Sequence, residues 1–282
     1  MQILETSGWE DYELIDSGDG KRLERFGKYT LVRPDPQAIW KPMADSALWE
    51  KADAIFDGKW INKTGVPEKW LIKYEDLSLN LRLTPFKHTG IFPEQKINWD
   101  FISEKIKGAE REINVLNLFG YTGVSTLVAA AAGAKVTHLD ASKPSMTWLR
   151  ENQEASNMLE RPIRLIVDDA IKFTAREIKR GAKYDAILMD PPVYGHDPEG
   201  RSWDFNRDFP TLMENVSKLL SDNPLFVIVN TYAISSSAIM LKNVMNDYLG
   251  KLGGEIQIGE LAIKEITGGR LLSTGIFGRW EK

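Results

Sequence analysis

The run Ile113-Asn114-Val115-Leu116-Asn117-Leu118-Phe119 is apolar enough for a buried strand, and it breaks at Gly120-Tyr121-Thr122-Gly123. Val124–Ala132 follows as a short alanine-rich helix stopped by Gly133, so the stretch reads strand, glycine turn, helix. The alternation continues toward the C-terminus. Lys135–Leu139 is a strand ended by Asp140, Pro144–Asn157 a helix with proline near its start, Ile163–Val167 a strand and Ala170–Arg180 a helix. Tyr184–Met189 is a strand running into Asp190-Pro191-Pro192, followed by helix Asp208–Leu220, strand Leu225–Asn230 and helix Ser236–Leu249. Strand–helix units at this spacing predict an α/β fold with a parallel sheet covered on both faces. Glu255–Lys264 and Arg270–Trp280, joined through Thr267-Gly268-Gly269, break the rhythm and predict a hairpin that gives the sheet an antiparallel edge.

Residues 1–85 have another texture. Turn clusters at Asp16-Ser17-Gly18-Asp19-Gly20, Phe26-Gly27-Lys28 and Arg33-Pro34-Asp35-Pro36 separate short β-like runs, and Leu77–Thr84 alternates apolar and polar residues strictly. They are expected to form a small β-rich domain with a short helix near Ala44–Ile55, leaving 86–282 as the second domain. Six of the nine tryptophans lie in the first hundred residues: Trp9, Trp40, Trp49, Trp60, Trp70 and Trp99. Core and platform packing accounts for them most simply, although an aromatic face also accepts a stacked base.

The chain has 282 residues, 36 basic and 40 acidic, and no cysteine. The missing cysteine excludes disulfides, thiolate metal sites and a cysteine nucleophile. Three histidines (His88, His138 and His196) make a histidine-rich metal centre unexpected. No apolar run reaches the ~18 residues of a transmembrane helix, and Met1–Glu10 has no signal-peptide pattern, so a cytoplasmic location is expected. The net charge of −4 includes no basic tail or obviously basic segment. Residues 1–85 carry 12 basic and 15 acidic side chains.

Ligands of open α/β sheets bind at the carboxyl ends of the strands. Four sequences fall at such ends. Gly120 and Gly123 allow a tight turn and close backbone approach, with a spacing that is not that of a dinucleotide fingerprint. Asp140, about 20 residues on, can accept from ribose hydroxyls, or can cap the next helix in competition with Ser142. Asp168-Asp169-Ala170 can meet an adenine amino group, while Asp169 can also cap the following helix. Met189-Asp190-Pro191-Pro192-Val193-Tyr194 is the most specific: two prolines forbid further ladder pairing and stiffen the exit, and Tyr194 offers a face to a planar substrate.

Together with His88-Thr89-Gly90-Ile91-Phe92-Pro93-Glu94-Gln95, these segments resemble the class I S-adenosylmethionine-dependent methyltransferases. More narrowly, they resemble the large-subunit ribosomal RNA methyltransferases and their relatives. The resemblance covers residues from about 80 to 282 and implies a Rossmann-like sheet. It implies that Phe119, Gly120, Thr122 and Gly123 line the methionine part of the cofactor S-adenosylmethionine. Asp140, with Ala141 and Ser142, would hold the ribose, and Asp169 and Ala170 would meet the adenine. Asp190 and Pro191, stiffened by Pro192, would face the reactive sulfonium, and Tyr194 the acceptor. Thr89, Gly90, Phe92 and Gln95 would cover the cofactor. His196, Arg201, Trp203 and Arg207 are candidate substrate contacts, with Tyr194 and Trp203 available for stacking.

Two departures matter. Val193 replaces the lysine of the family's Asp-Pro-Pro-Lys-aromatic motif, which removes a cation from the acceptor side. Relatives that methylate cytosine at carbon 5 add a thiolate to the ring, whereas Val229-Asn230-Thr231-Tyr232 follows the fifth strand here. The expected reaction is therefore direct displacement onto a nitrogen or oxygen of ribosomal or other structured RNA, without metal or membrane. A small molecule or protein acceptor, or a non-catalytic nucleoside-binding scaffold, remains the alternative.

Overall fold

The computed structural model describes residues 1–196, 202–232 and 237–282, without the side chains of His196 and Ser202. By its internal contacts the chain forms two compact units. One comprises Met1–Leu4, Asn98–Glu260 and Gly275–Lys282; the other comprises Glu5–Ile97 and Leu261–Thr274.

Elements are numbered along the chain: β1 (Gln2–Thr6), β2 (Tyr12–Gly18), β3 (Lys21–Phe26), β4 (Tyr29–Pro34), α1 (Ser46–Glu50), β5 (Ala54–Asp57), β6 (Lys59–Asn62), β7 (Trp70–Tyr74), β8 (Leu77–Leu81) and α2 (Lys96–Lys107). Strands β2 to β6 form a five-stranded sheet in sequential order, and β7 pairs with β8. This confirms the small β-rich part. The helix expected near Ala44–Ile55 is only α1, because Ala54 and Ile55 are drawn into parallel pairing with Leu31 and Val32. The alternation at Leu77 yields β8, whose odd residues are buried.

The unit is built around a buried ion cluster. Glu24, fully buried, accepts from Arg33 Nε (2.7 Å) and Nη2 (2.8 Å) and from the Tyr12 hydroxyl (2.8 Å), and Arg22 Nε lies 3.4 Å from it. Losing one partner of such a pair would strand a charge in the interior. Every indole N–H of the six early tryptophans finds a protein acceptor: Lys73 O, Ser17 O, Asp16 Oδ2, Phe86 O, Phe26 O and Ser125 Oγ, in chain order. The tryptophans therefore act first as framework.

The chain continues with β9 (Asn114–Leu118), α3 (Val124–Ala131), β10 (Lys135–Asp140), α4 (Lys143–Ala155), β11 (Ile163–Val167), α5 (Ala170–Lys179), β12 (Ala186–Met189), β13 (Tyr194–His196), β14 (Ser202–Asp204), α6 (Phe205–Leu219), β15 (Phe226–Thr231), α7 (Ala238–Leu249), β16 (Glu255–Lys264) and β17 (Leu271–Glu281). Among the described residues eight strands form one sheet, ordered β1-β16-β17-β15-β12-β9-β10-β11. The pairs from β15 through β12, β9 and β10 to β11 are parallel, and β17 runs antiparallel to β15. The expected parallel sheet and antiparallel C-terminal hairpin are both present.

Helix α6 shows how the core is made. Phe205, Phe209, Leu212, Met213, Val216 and Leu219 recur at three- and four-residue spacing and are all buried, giving one apolar face. Caps follow the sequence. Ser142, Asp169, Asp204 and Ser237 each accept a backbone N–H in the first turn of α4, α5, α6 and α7. Among the described residues, no helix is long and apolar enough to cross a membrane.

Candidate functional site

The carboxyl ends of β9, β10, β11 and β12 bring the candidate residues of this unit into one row. β9 ends at Leu118, and the chain turns through Phe119 and Tyr121, both in the left-handed region (φ 57° and 50°). Such a conformation costs a non-glycine residue on the order of 1 kcal/mol or more, and it persists only where the surroundings enforce it. Here the Gly120 N–H donates to Leu139 O (3.0 Å), the Tyr121 N–H to Asp140 Oδ2 (2.8 Å), and Asn152 Nδ2 to Thr122 O (3.0 Å).

The two glycines have distinct reasons. Gly123 combines φ +83° with a Cβ position that Leu149 already fills. At Gly120 a Cβ would lie 2.5 Å from His138 Nδ1 and 3.0 Å from Asn117 Nδ2. The close approach that Gly120 serves is thus internal, onto a histidine beneath the loop.

Sequence reasoning assigned no role to His138, and the structure gives it one. It is fully buried, and burial pushes its imidazole down to about 3, so the ring is neutral. Asn117 Nδ2 donates to Thr126 Oγ1 (2.9 Å), which lies 2.8 Å from His138 Nδ1. Asn117, Thr126 and His138 thus form a hydrogen-bonded relay under the loop. The available signal was its position two residues before Asp140, and so on the same face of the strand.

Asp140 is not a helix cap, because Ser142 takes that place. Its carboxylate accepts the Tyr121 N–H through Oδ2 and the Ser142 N–H through Oδ1 (2.8 Å each). Burial raises its pKa against these two donors. Each oxygen keeps a second lone pair, so a ribose diol fits this donor set. Ala141 and Ser142 are half-buried beside it. The Asp168 N–H donates to Asp140 O (3.3 Å), which joins the ends of β10 and β11. Asp169 caps α5 by accepting the Lys172 N–H (2.8 Å), and Ala170 is buried in its first turn. Asp168 pairs with Arg176.

The Asp190 N–H reaches Leu118 O (3.4 Å), placing the Asp-Pro-Pro segment beside the loop after β9. Pro191 is buried and Pro192 exposed. Tyr194 is 73% exposed at the start of β13, which pairs with β14 where a plain loop was expected. Trp203 is placed otherwise than expected. It is 6% exposed, its Nε1–H donates to Pro192 O (2.7 Å), and its ring lies 5.0 Å from Phe119. Its ring is committed to holding the Asp-Pro-Pro segment against the loop and offers no open face for stacking. Arg207 is engaged with Asp208 through Nε (3.0 Å) and Nη2 (2.6 Å). His196 is in β13, its side chain outside the described part, and Arg201 lies outside the described residues.

Thr89, Gly90, Phe92 and Gln95 belong to the other unit. Thr89 is fully buried, with its hydroxyl making no hydrogen bond among the described residues. Gly90 has φ +99° and is buried, the Phe92 ring packs on His88 (5.3 Å), and Gln95 closes a buried 3-10 turn, Pro93–Gln95.

The chain is similar over much of its length to known methyltransferases. The chain is 42% identical to an S-adenosylmethionine-dependent methyltransferase from Agrobacterium tumefaciens, with a TM-score of 0.98 over 100% of this chain and 93% of the other. A methyltransferase structure from Streptococcus mutans shares the fold at 20% identity, with a TM-score of 0.76 over 98% and 76% of the two chains. The ribosomal RNA large subunit methyltransferase K/L of Shewanella oneidensis is 33% identical over 250 residues, covering 79% of this chain and 34% of the relative. That of Shewanella frigidimarina is 32% identical over 152 residues, 53% of this chain and 20% of the relative, so the match spans a fifth to a third of these longer proteins. Residues 51–247 match the family S-adenosylmethionine-dependent methyltransferase, and the chain belongs to it.

Proposed function

We propose that this methyltransferase acts on ribosomal or other structured RNA and transfers the methyl group by direct displacement to a nitrogen or oxygen atom. The observation that carries the mechanism is the row at the strand ends. It offers a buried carboxylate on Asp140, a loop fixed in a left-handed turn, and the stiff Asp190-Pro191-Pro192 segment, with no thiol anywhere in the chain. S-adenosylmethionine supplies a methyl group activated by its sulfonium. What is asked of the protein is positioning and electrostatics.

In this reading Asp140 holds the ribose hydroxyls, with Ala141 and Ser142 beside it, and Asp169 and Ala170 lie toward the adenine. Phe119, Gly120, Thr122 and Gly123 shape the methionine end, and Thr89, Gly90, Phe92 and Gln95 are the cover. Asp190 with the adjacent proline carbonyls orients the acceptor, and exposed Tyr194 stacks on it. An RNA acceptor is supported by the ribosomal RNA methyltransferases among the relatives. A base inside a helix would have to leave its stack to be methylated.

The test is methyl transfer from labelled S-adenosylmethionine to deproteinised ribosomal RNA from cells lacking this protein, followed by nucleoside mass spectrometry. One nucleoside that is absent in the deletion strain and restored by the enzyme is the expected result. Incorporation into small molecules or protein, with none into RNA, would replace the RNA reading.

A further inference from the structure

A buried arginine reaches the carboxyl end of β15 through two amides. Arg279 is 7% exposed, its Cζ lies 3.7 Å from the centre of the Phe101 ring, and its Nη2 donates to Asn98 Oδ1 (2.8 Å). Asn98 Nδ2 donates in turn to Asn230 Oδ1 (3.1 Å), and both amides are buried. Glu281, two residues on in β17, is engaged with Lys105 (2.6 Å). Arg279 thus directs a hydrogen bond at a neutral amide, although an apolar side chain of similar volume would avoid the cost of burying its charge.

The chain of amides has a fixed direction. A guanidinium only donates, so Asn98 turns its oxygen to Arg279 and its NH2 to Asn230, and Asn230 answers with its oxygen. The NH2 of Asn230, with two N–H groups, is therefore the donor end of the relay. Asn230 is the penultimate residue of β15. Met189 pairs with Val229 in the parallel ladder, so the next register step sets Asp190 beside Asn230, on strands about 4.8 Å apart. Strand β15 neighbours β12 in the row of carboxyl ends where ligands of such sheets bind. A donor and a carboxylate stand side by side at that end.

We propose that Asn230 contacts the methyl acceptor and helps to select it. Its NH2 donates to a lone pair of the acceptor, while the Asp190 carboxylate receives an N–H beside that lone pair. Asn98 and Arg279 are positioning residues that fix which end of the Asn230 amide is presented. The complementary substrate sets a lone pair next to an N–H, as nucleobases do along the Watson–Crick edge by which extruded bases are read. The proposal rests on the reading above that Asp190 orients the acceptor, and it adds a second residue to that task.

The test measures turnover of the full chain with tritiated S-adenosylmethionine and a whole extract of cells lacking this protein, which holds RNA, protein and small molecules together. Asn230→Ala should lose about a hundredfold in turnover, the usual effect of removing one aimed donor, with calorimetric affinity for S-adenosylmethionine unchanged. The isosteric Asn230→Asp is the sharper probe. It keeps an oxygen toward Asn98, and its second oxygen donates as the NH2 did only when protonated; ionised, it opposes Asp190. The charged groups around it, Arg279 and Glu281 of β17, Lys105 of α2 and Asp190, are common to variant and wild type. The turnover ratio of Asn230→Asp to wild type should therefore rise about fivefold or more from pH 8 to pH 5.5. Arg279→Met should lower turnover in the wild type and no further in Asn230→Ala. Wild-type turnover in Asn230→Ala, or a ratio for Asn230→Asp that does not change with pH, overturns the role of Asn230. Asp190→Ala judges the underlying reading by itself: full turnover there, or no label incorporated by wild type, overturns the acceptor end. Label found only outside RNA would remove the nucleobase edge.

Discussion

Gly120 and His138 are expected to behave as one unit. A Cβ at position 120 would lie 2.5 Å from His138 Nδ1, where carbon–nitrogen contact normally needs about 3.5 Å. The ring cannot simply swing away: it is fully buried and tied through Nδ1 to Thr126. Gly120→Ala should therefore cost about 1–3 kcal/mol, the usual range for forcing extra carbon into a packed interior. It should also weaken S-adenosylmethionine binding, because the displaced backbone is that of the loop between Phe119 and Tyr121. His138→Ala alone should cost about 2 kcal/mol or more through the cavity and the lost hydrogen bond. In the double variant the new Cβ enters the vacated volume, so the costs should fall short of their sum by at least ~1 kcal/mol. The measurements are guanidinium unfolding of all four proteins and calorimetric cofactor affinity of the same set. Costs that add to within about 0.5 kcal/mol would refute the argument, since independent sites add to that margin.

Other consequences can be checked separately. His138 is held near 3 by burial against about 6.5 when unfolded, so the unfolded chain takes the proton and stability should fall as pH drops below about 6.5, by about 2 kcal/mol at pH 5. His138→Gln should remove that part of the slope in melts at pH 7.5 and 5, with the opposing effects of the raised Asp140 and Glu94 common to both proteins. Asp140→Ala should weaken calorimetric affinity for S-adenosylmethionine about tenfold or more, since one substitution removes the acceptors for both the Tyr121 N–H and the proposed ribose contact. Asp190→Ala should lower turnover about a hundredfold in a methyl-transfer assay with little change in melting temperature; full turnover would remove Asp190 from the mechanism. Trp203→Phe keeps a ring near Phe119 but loses the bond to Pro192 O, and should cost about 1 kcal/mol in denaturant unfolding.

What could be foreseen divides by the range of the causes. The strands and helices of the large sheet follow local periodicity and local punctuation. The helix expected at Val124–Ala132 is Val124–Ala131, and the strand expected at Glu255–Lys264 has those bounds. Helix α2 escaped notice because its buried face includes a polar residue, Asn98, with Trp99, Ile102 and Ile106. Long-range pairing was not legible either. Gln2–Thr6 becomes a strand beside β16, and residues 261–274 of the C-terminal hairpin count with the N-terminal unit, through partners about 250 residues away such as Ser17 and Glu265. Trp203 misled for the same reason. A tryptophan in a polar loop reads as exposed until Phe119, far earlier in the chain, and the nearby Pro192 close over it.

The chemistry at Asp140 explains why an acid, and not its amide, suits that position. The side chain faces two backbone N–H groups, from Tyr121 and Ser142, one on each oxygen. Asparagine would offer one oxygen and one NH2, and the NH2 would meet an N–H head on, leaving a donor unsatisfied next to a residue already in the left-handed region. A carboxylate satisfies both and keeps a lone pair on each oxygen for two hydroxyls. Loop geometry and the proposed ribose contact then draw on the same group. The bond from Tyr121 to a charged acceptor, worth roughly 1.5–3 kcal/mol, offsets a left-handed tyrosine of similar cost. The Asn117–Thr126–His138 relay fills the space beneath Gly120. The strained turn is thus held from the side by Asp140 and from below by His138, and the loop keeps its shape without needing the binding energy of a ligand.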